Sequence, residues 1–312
     1  MNSAQLAFVF PGQGSQRVGM LAEIAAAYPV VLDTFAEASE ALSYDMWGLI
    51  QAGPQDALNL TEKTQPILLA SSVALWRVWQ QRNGVVPSLL AGHSLGEFSA
   101  LVCAGTIAFA DAVKLVRARG QFMQTAVPLG EGAMAAVLGM DDEQLVQICR
   151  DASVQGGVVE AVNFNSPGQI VIAGTVAAVD KAIELCKAAG SKRALPLPVS
   201  APFHTSLMRP AGEKLRAAMA DLKFNAPTIP VVHNVNAKPE SDPEKIKAIL
   251  FEQIFSPVQW SHCVAYMVEQ GINTAVECGP GKVLGGLIKR IDKSVNCLCI
   301  EESAGLEAAL SV

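Results

Sequence analysis

A chain of 312 residues, 51% hydrophobic and 17% charged, is long enough for a sizeable core and too apolar for a disordered chain. Its net charge of -6 argues against nucleic acid as a partner, and its longest apolar run, Phe98 to Ala110, carries Ser99 and Thr106 and is too short to cross a bilayer. Seven cysteines without a Cys-x-x-Cys pair read as reduced, mostly buried thiols, and no Lys or Arg precedes Arg17 to open a signal peptide, so a globular cytoplasmic protein without membrane segments is expected.

In chain order, "LAFVF" (6–10) is a buried-strand pattern broken by the loop Pro11 to Gln16. That loop lacks the third glycine of a dinucleotide fingerprint and the Gly-Lys-Ser/Thr of a P-loop, so it is a poor phosphate cradle. A helix is predicted from Pro66 to Gln81 with Leu69, Val73, Trp76 and Trp79 on one face, stopped by Asn83-Gly84. A short strand, Ser88 to Ala91, then meets Gly92-His93-Ser94-Leu95-Gly96, and Phe98, Leu101 and Val102 begin another helix. Strand, tight turn with serine, helix is the setting of a nucleophile elbow; the plainer alternative is a serine that caps the helix.

The next helix, from Asp111, has its apolar stripe at Ala112, Leu115, Val116, Phe122 and Met123. Arg119 falls inside that stripe and Arg117 outside it. A cation on a buried face is either a structural salt bridge, a snorkelling side chain, or a guanidinium held for an anionic ligand such as a carboxylate.

Between residues 132 and 199 the patterns run strand, helix, strand, strand, helix, strand: "GAMAAVLGM", a helix from Asp141, "GVVEAVNF" and "QIVIAG" around "NSPG", a helix ending at Gly190, then "RALPLPV". This order is ferredoxin-like and reads as a small unit inserted in a larger one. "SAPFHTSLM" (200–208) follows, with an amphipathic helix through Leu207, Ala211, Leu215, Ala218 and Leu222. His204 thus precedes a helix whose NH-rich end would keep the ring neutral, as a general base requires. Of the other histidines, His262 is off its helical stripe, His233 alternates with Val231 and Val235 along a strand, and His93 adjoins the serine on a diverging side chain; His204 is the candidate base. The strands "IPVVHNV" and "TAVEC", the helix through "PVQWSHCVAYMVEQ" and the "GPG" loop before a helix at Lys282 complete the flanks. The fold class expected is α/β: a mainly parallel α/β subdomain from 1–128 and 201–312, with the ferredoxin-like insertion at 129–200.

"FPGQGSQ", "GHSLGE", "RGQFMQ", "NSPGQIVIAG", "APFH", "PVQW" and "ECGPGKVL" together closely resemble the malonyl-CoA:acyl carrier protein transacylase family of bacterial fatty acid synthesis, in the family's order along nearly the whole chain. The resemblance implies an α/β-hydrolase-like large subdomain and a ping-pong transfer of malonyl through a malonyl-serine ester. It implies Ser94 as nucleophile, His204 as base and Arg119 as the grip on the malonyl carboxylate. It implies the backbone NH groups of Gln13 and Leu95 as oxyanion hole, and the backbone carbonyl of Gln253 as the group orienting the histidine. Phe203 looks like the malonyl-type pattern of polyketide acyltransferases. Coenzyme A and phosphopantetheine would enter as parts of the substrates, with no resident cofactor or metal. The partners implied are malonyl-CoA and holo acyl carrier protein, met by a monomer that offers basic residues such as Lys192, Arg193, Lys282, Lys289 and Arg290. Two other classes stay open at this point: a serine thioesterase or esterase, whose acid has no obvious position here, and a non-catalytic carrier-binding module.

Overall fold

Strand β1 (Leu6–Phe10) is buried on both faces: Phe8 and Phe10 enter one apolar cluster, Ala7 and Val9 another. That is why its sequence is continuously apolar rather than alternating. The coordinates are a computed structural model describing residues 5–153, 157–199 and 201–312; residue 200, the expected end of the insertion, lies outside them.

After β1 come α1 (Ala22–Ala27), α2 (Val30–Leu42), α3 (Met46–Ala52), α4 (Gln55–Leu58) and the long α5 (Thr61–Gln81). Strand β2 (Leu89–Gly92) turns tightly into α6 (Leu95–Cys103), and α7 (Phe109–Gln124) follows. Next are β3 (Gly132–Leu138), α8 (Asp142–Ser153), β4 (Val159–Ser166), β5 (Gln169–Thr175), α9 (Val176–Ala188) and β6 (Arg193–Pro196). The chain then runs through a single 3-10 turn (Ser206–Met208), α10 (Arg209–Met219), β7 (Val231–Val232), α11 (Pro243–Gln253), α12 (Trp260–Glu269), β8 (Thr274–Glu277), α13 (Val283–Ile291), β9 (Asn296–Cys299) and α14 (Ser303–Leu310).

The large sheet has five strands in the order β7-β2-β1-β8-β9, all pairings parallel. The small sheet is antiparallel with the order β4-β5-β3-β6, which is the ferredoxin-like arrangement read from the sequence. Its two faces differ: Ala135, Val137, Ile170 and Ile172 pack with α8 and α9, whereas Met134, Val171 and Ala173 join the large cluster. The period-2 alternation of β3 and β5 therefore sets one face of the small sheet against the large subdomain, and a cavity lined by both lies between them.

Several expectations need correction. Helix α5 starts at Thr61, not Pro66, and is buried almost all round because it packs against α2, α6 and α7; Phe8 stacks edge-on against its Trp76 and Trp79, with centroids 5.3 and 5.0 Å apart. Pro66 lies inside the helix, beyond the orphan donors of its first turn, and leaves the Glu62 carbonyl without its i+4 donor. Helix α7 likewise begins at Phe109, two residues before Asp111, and β2 is displaced by one residue from the predicted span. The buried stripe of α10 is Ala211, Gly212, Leu215 and Met219; Ala218 is exposed, since the helix begins at Arg209 and not at Leu207. Strand β7 holds only Val231 and Val232, so His233 and Val235 lie beyond it. All seven cysteines are free and five are buried.

Gly92 marks one of the tightest backbone approaches among the described residues. A Cβ placed on it would lie 1.9 Å from the backbone carbon of Gly96 and 2.2 Å from the amide of Glu97, so no side-chain rotation relieves the clash. Gly92→Ala is expected to destabilise by about 3 kcal/mol or more through forced separation of β2 and α6; urea unfolding would check it, and a loss under about 1 kcal/mol would contradict the rigid contact.

Candidate active site

Ser94 joins β2 to α6 with φ 51° and ψ -106°, a backbone conformation costly for a residue with a Cβ. The strain is held by surrounding bonds. Gly96 N–H donates to the His93 carbonyl (2.9 Å), Ser94 N–H donates to Asn234 Oδ1 (2.7 Å), and Asn234 Nδ2 donates back to the Gly92 carbonyl (2.6 Å). Although Ser94 occupies the N-cap position of α6, its hydroxyl makes no capping bond. It lies instead 2.7 Å from His204 Nε2, and accepts from an Arg119 NH2 at 3.2 Å. The capping alternative is thereby set aside.

His204 also has a positive φ, 64°, and is 4% exposed. Its Nδ1 lies 2.8 Å from the backbone carbonyl of Gln253, the last residue of α11. A carbonyl only accepts, so Nδ1 carries the proton and Nε2 is left with a lone pair for the Ser94 hydroxyl. Burial, then the positive charge of Arg119, pushes the ring down to about 3, and it is neutral at physiological pH. The expected cause, a following helix N-terminus, is not the one at work: a single 3-10 turn comes first, and burial dominates.

Arg119, on α7, is 1% exposed and has no carboxylate within salt-bridge distance among the described residues. Its NH1 donates to Gln65 Oε1 (2.9 Å) and its NH2 to Gln253 Oε1 (2.8 Å), while Nε, also buried, has no partner. The guanidinium sits 5.2 Å from the centroid of the Phe98 ring. Burial lowers its pKa to about 10 against the raising effect of Glu97, which leaves it charged at neutral pH. A buried cation fixed by neutral amides and facing a cavity has unspent capacity for an anion. The salt-bridge and snorkelling readings do not describe it.

The cavity, about 280 Å³, is lined on one side by Gln13, His93, Ser94, Leu95 and Arg119, and on the other by residues of the small sheet such as Asn165 and Val171. The backbone N–H groups of Gln13 and Leu95 have no acceptor among the described residues. His93 Nε2 is 2.8 Å from Asn165 Oδ1, so this histidine ties the elbow to the small sheet. His262 is exposed, and His233 is fully buried beside Glu97. Among the described residues no group of three or more His, Cys, Asp or Glu side chains is arranged to hold a metal, and no helix is long and apolar enough to cross a membrane.

All six residues singled out in the sequence thus meet here. Sequence reasoning missed Gln65, Glu97 and Asn234. Glu97 carried the same signal as Arg119, a charge inside an apolar helical run; Gln65, 2% exposed, closes a polar stretch before Pro66 and carried no such signal.

The family model described as acyl transferase domain matches residues 7–305. The chain is 58% identical over 308 residues to a protein of Escherichia coli (strain K12) named malonyl CoA-acyl carrier protein transacylase, covering 99% of each. It is 44% identical over 307 residues to the protein of that name in Bacillus subtilis (strain 168), covering 98% of this chain and 96% of that one. Among solved structures, an acyl carrier protein S-malonyltransferase from Vibrio cholerae matches with a TM-score of 0.96 at 58% identity, over 97% of this chain and 99% of that one. A malonyl-transacylase in complex with its type II PKS acyl-carrier protein matches with a TM-score of 0.97 at 52% identity, over 98% and 99%.

Proposed function

Because the chain belongs to the acyl transferase family, and within it to the malonyl CoA-acyl carrier protein transacylases, we propose that Ser94 carries the malonyl group between the two thiols, with His204 as base and Arg119 as carboxylate grip. The protein is an acyltransferase. It transfers malonyl from malonyl-CoA to the phosphopantetheine thiol of acyl carrier protein, supplying fatty acid synthesis.

In the first half-reaction Ser94 Oγ attacks the thioester carbonyl carbon while its proton passes to His204 Nε2. The carbonyl oxygen becomes an oxyanion, which accepts from the N–H groups of Gln13 and Leu95. Collapse expels the coenzyme A sulfur, which takes the proton from His204. In the second half the phosphopantetheine thiol gives its proton to His204 and attacks the ester carbonyl; Ser94 leaves and recovers the proton. No step requires a resident cofactor, since both thiols arrive with their substrates. A single chain supplies every group the mechanism needs, so a monomer would suffice as the working unit, and the seven free thiols support a reducing cytoplasm. Lys192, Arg193, Lys282, Lys289 and Arg290 are all exposed and offer charge to an acidic carrier.

The observation that carries this reading is the placement of a buried guanidinium, with no carboxylate partner among the described residues, 3.2 Å from the hydroxyl that faces the histidine. A serine hydrolase would serve its histidine with an acid; here the partner is a backbone carbonyl. The test is intact mass after brief mixing with malonyl-CoA, followed by holo acyl carrier protein: a malonyl adduct should form and move to the carrier. Arg119→Ala should slow malonyl loading about 100-fold or more, the worth of two charged hydrogen bonds, while loading from acetyl-CoA is spared. Equal slowing of both donors would remove the carboxylate role.

A further inference from the structure

Glu97 lies in the first turn of α6, three residues after Ser94, and is completely buried. No lysine or arginine reaches it within salt-bridge distance among the described residues; its one titratable neighbour at that distance is His233, whose Nδ1 is 2.7 Å from Oε1. Oε2 accepts from the backbone N–H of Asn234 (3.0 Å) and from Gln253 Nε2 (2.8 Å). A buried carboxylate is tolerated only when its oxygens are so engaged.

The consequence lies one residue further on. Gln253 Nε2 has two protons: one goes to Glu97, the other to the Ser94 carbonyl at 2.9 Å. With the amino end held by two acceptors, the amide oxygen must face the opposite way, where it accepts from Arg119 NH2 at 2.8 Å. A glutamine amide is nearly symmetric in shape, and the flipped form would set its NH2 against the guanidinium, donor against donor. The carboxylate of Glu97 thus decides which end Arg119 meets, and its charge offsets that of the guanidinium through the intervening amide.

We propose that Glu97 is a positioning residue for acyl-group selectivity: acting through the side chain of Gln253, it holds Arg119 where the carboxylate of the incoming acyl group must bind. The proposal rests on the functional reading given above. His204 is spared the effect, because it depends on the backbone carbonyl of Gln253 rather than the side chain.

The test compares single-turnover loading from malonyl-CoA and acetyl-CoA, by intact mass, in the parent protein and Glu97→Gln. The variant keeps the size of the side chain but brings an NH2 to a site supplied with donors. Malonyl loading is expected to fall about 10- to 100-fold, one charged hydrogen bond, with acetyl loading changed by less than about threefold. Equal losses for the two donors, or no loss, would overturn the proposal. Should Glu97→Gln fail to fold, Glu97→Asp keeps the charge but draws it back from Gln253 Nε2, and the same fall in the malonyl-to-acetyl ratio is expected; equal losses there are again fatal. Failure of the parent to acquire malonyl on Ser94 would instead refute the functional reading itself.

Discussion

Ser94→Ala is expected to abolish the malonyl adduct and to slow carrier malonylation by about 10⁵-fold, the scale on which nucleophile removal acts in serine enzymes. The size of the effect follows from what the hydroxyl does. It is the one group placed both against a neutral imidazole, 2.7 Å away, and beside the N–H groups of Gln13 and Leu95. The variant should fold, because Oγ makes no capping bond to α6 and Arg119 keeps its contacts with Gln65 and Gln253. Intact mass and a radiolabel transfer assay check it; an adduct of unchanged amount in Ser94→Ala would place the acyl group elsewhere.

His204→Ala should lower loading about 10³- to 10⁴-fold, and the parent should show an unusual acid limb. An unperturbed histidine gains its proton near pH 6.5, and a rate that needs the neutral ring would fall below that point. Here burial and Arg119 hold the folded-state value at about 3, so the neutral base persists as pH falls through 6 and 5. The rate of Ser94 loading at low malonyl-CoA should therefore stay flat from pH 8 to about pH 5 as far as this group is concerned. A limb centred near 6.5 in the parent would show that the imidazole is more accessible to protons than its 4% exposure implies.

How much of this was legible beforehand depended on whether the signal was local. The elbow at Gly92 to Gly96 and the alternating β3 and β5 are local patterns, and both were readable. Arg119 was readable as an anomaly, a charge on an apolar stripe, but its three readings could not be separated without knowing what faced it. The short helices α1, α3 and α4 escaped notice, since segments of 4 to 7 residues leave no repeat of a 3.6-residue period, and the longer α2 and α11 were also passed over. The start of α5 was misplaced for a related reason: packing against α2, α6 and α7 buries faces that an amphipathic pattern would leave polar.

The sequence by itself determined the α/β class, the inserted antiparallel unit, the serine at a strained turn and the residue types required for acyl transfer, because each is written in neighbouring residues through periodicity, turn chemistry and motif order. Only the tertiary structure decided that Ser94, Arg119 and His204 line one cavity and that buried Gln253, up to 159 positions away, bonds to all three. It also decided that the imidazole is neutral through burial rather than through a helix end, and that Glu97 and Gln65 belong to the arginine's setting. Burial, desolvation and hydrogen-bond geometry are properties of the space between elements, and no local stretch of chain encodes them.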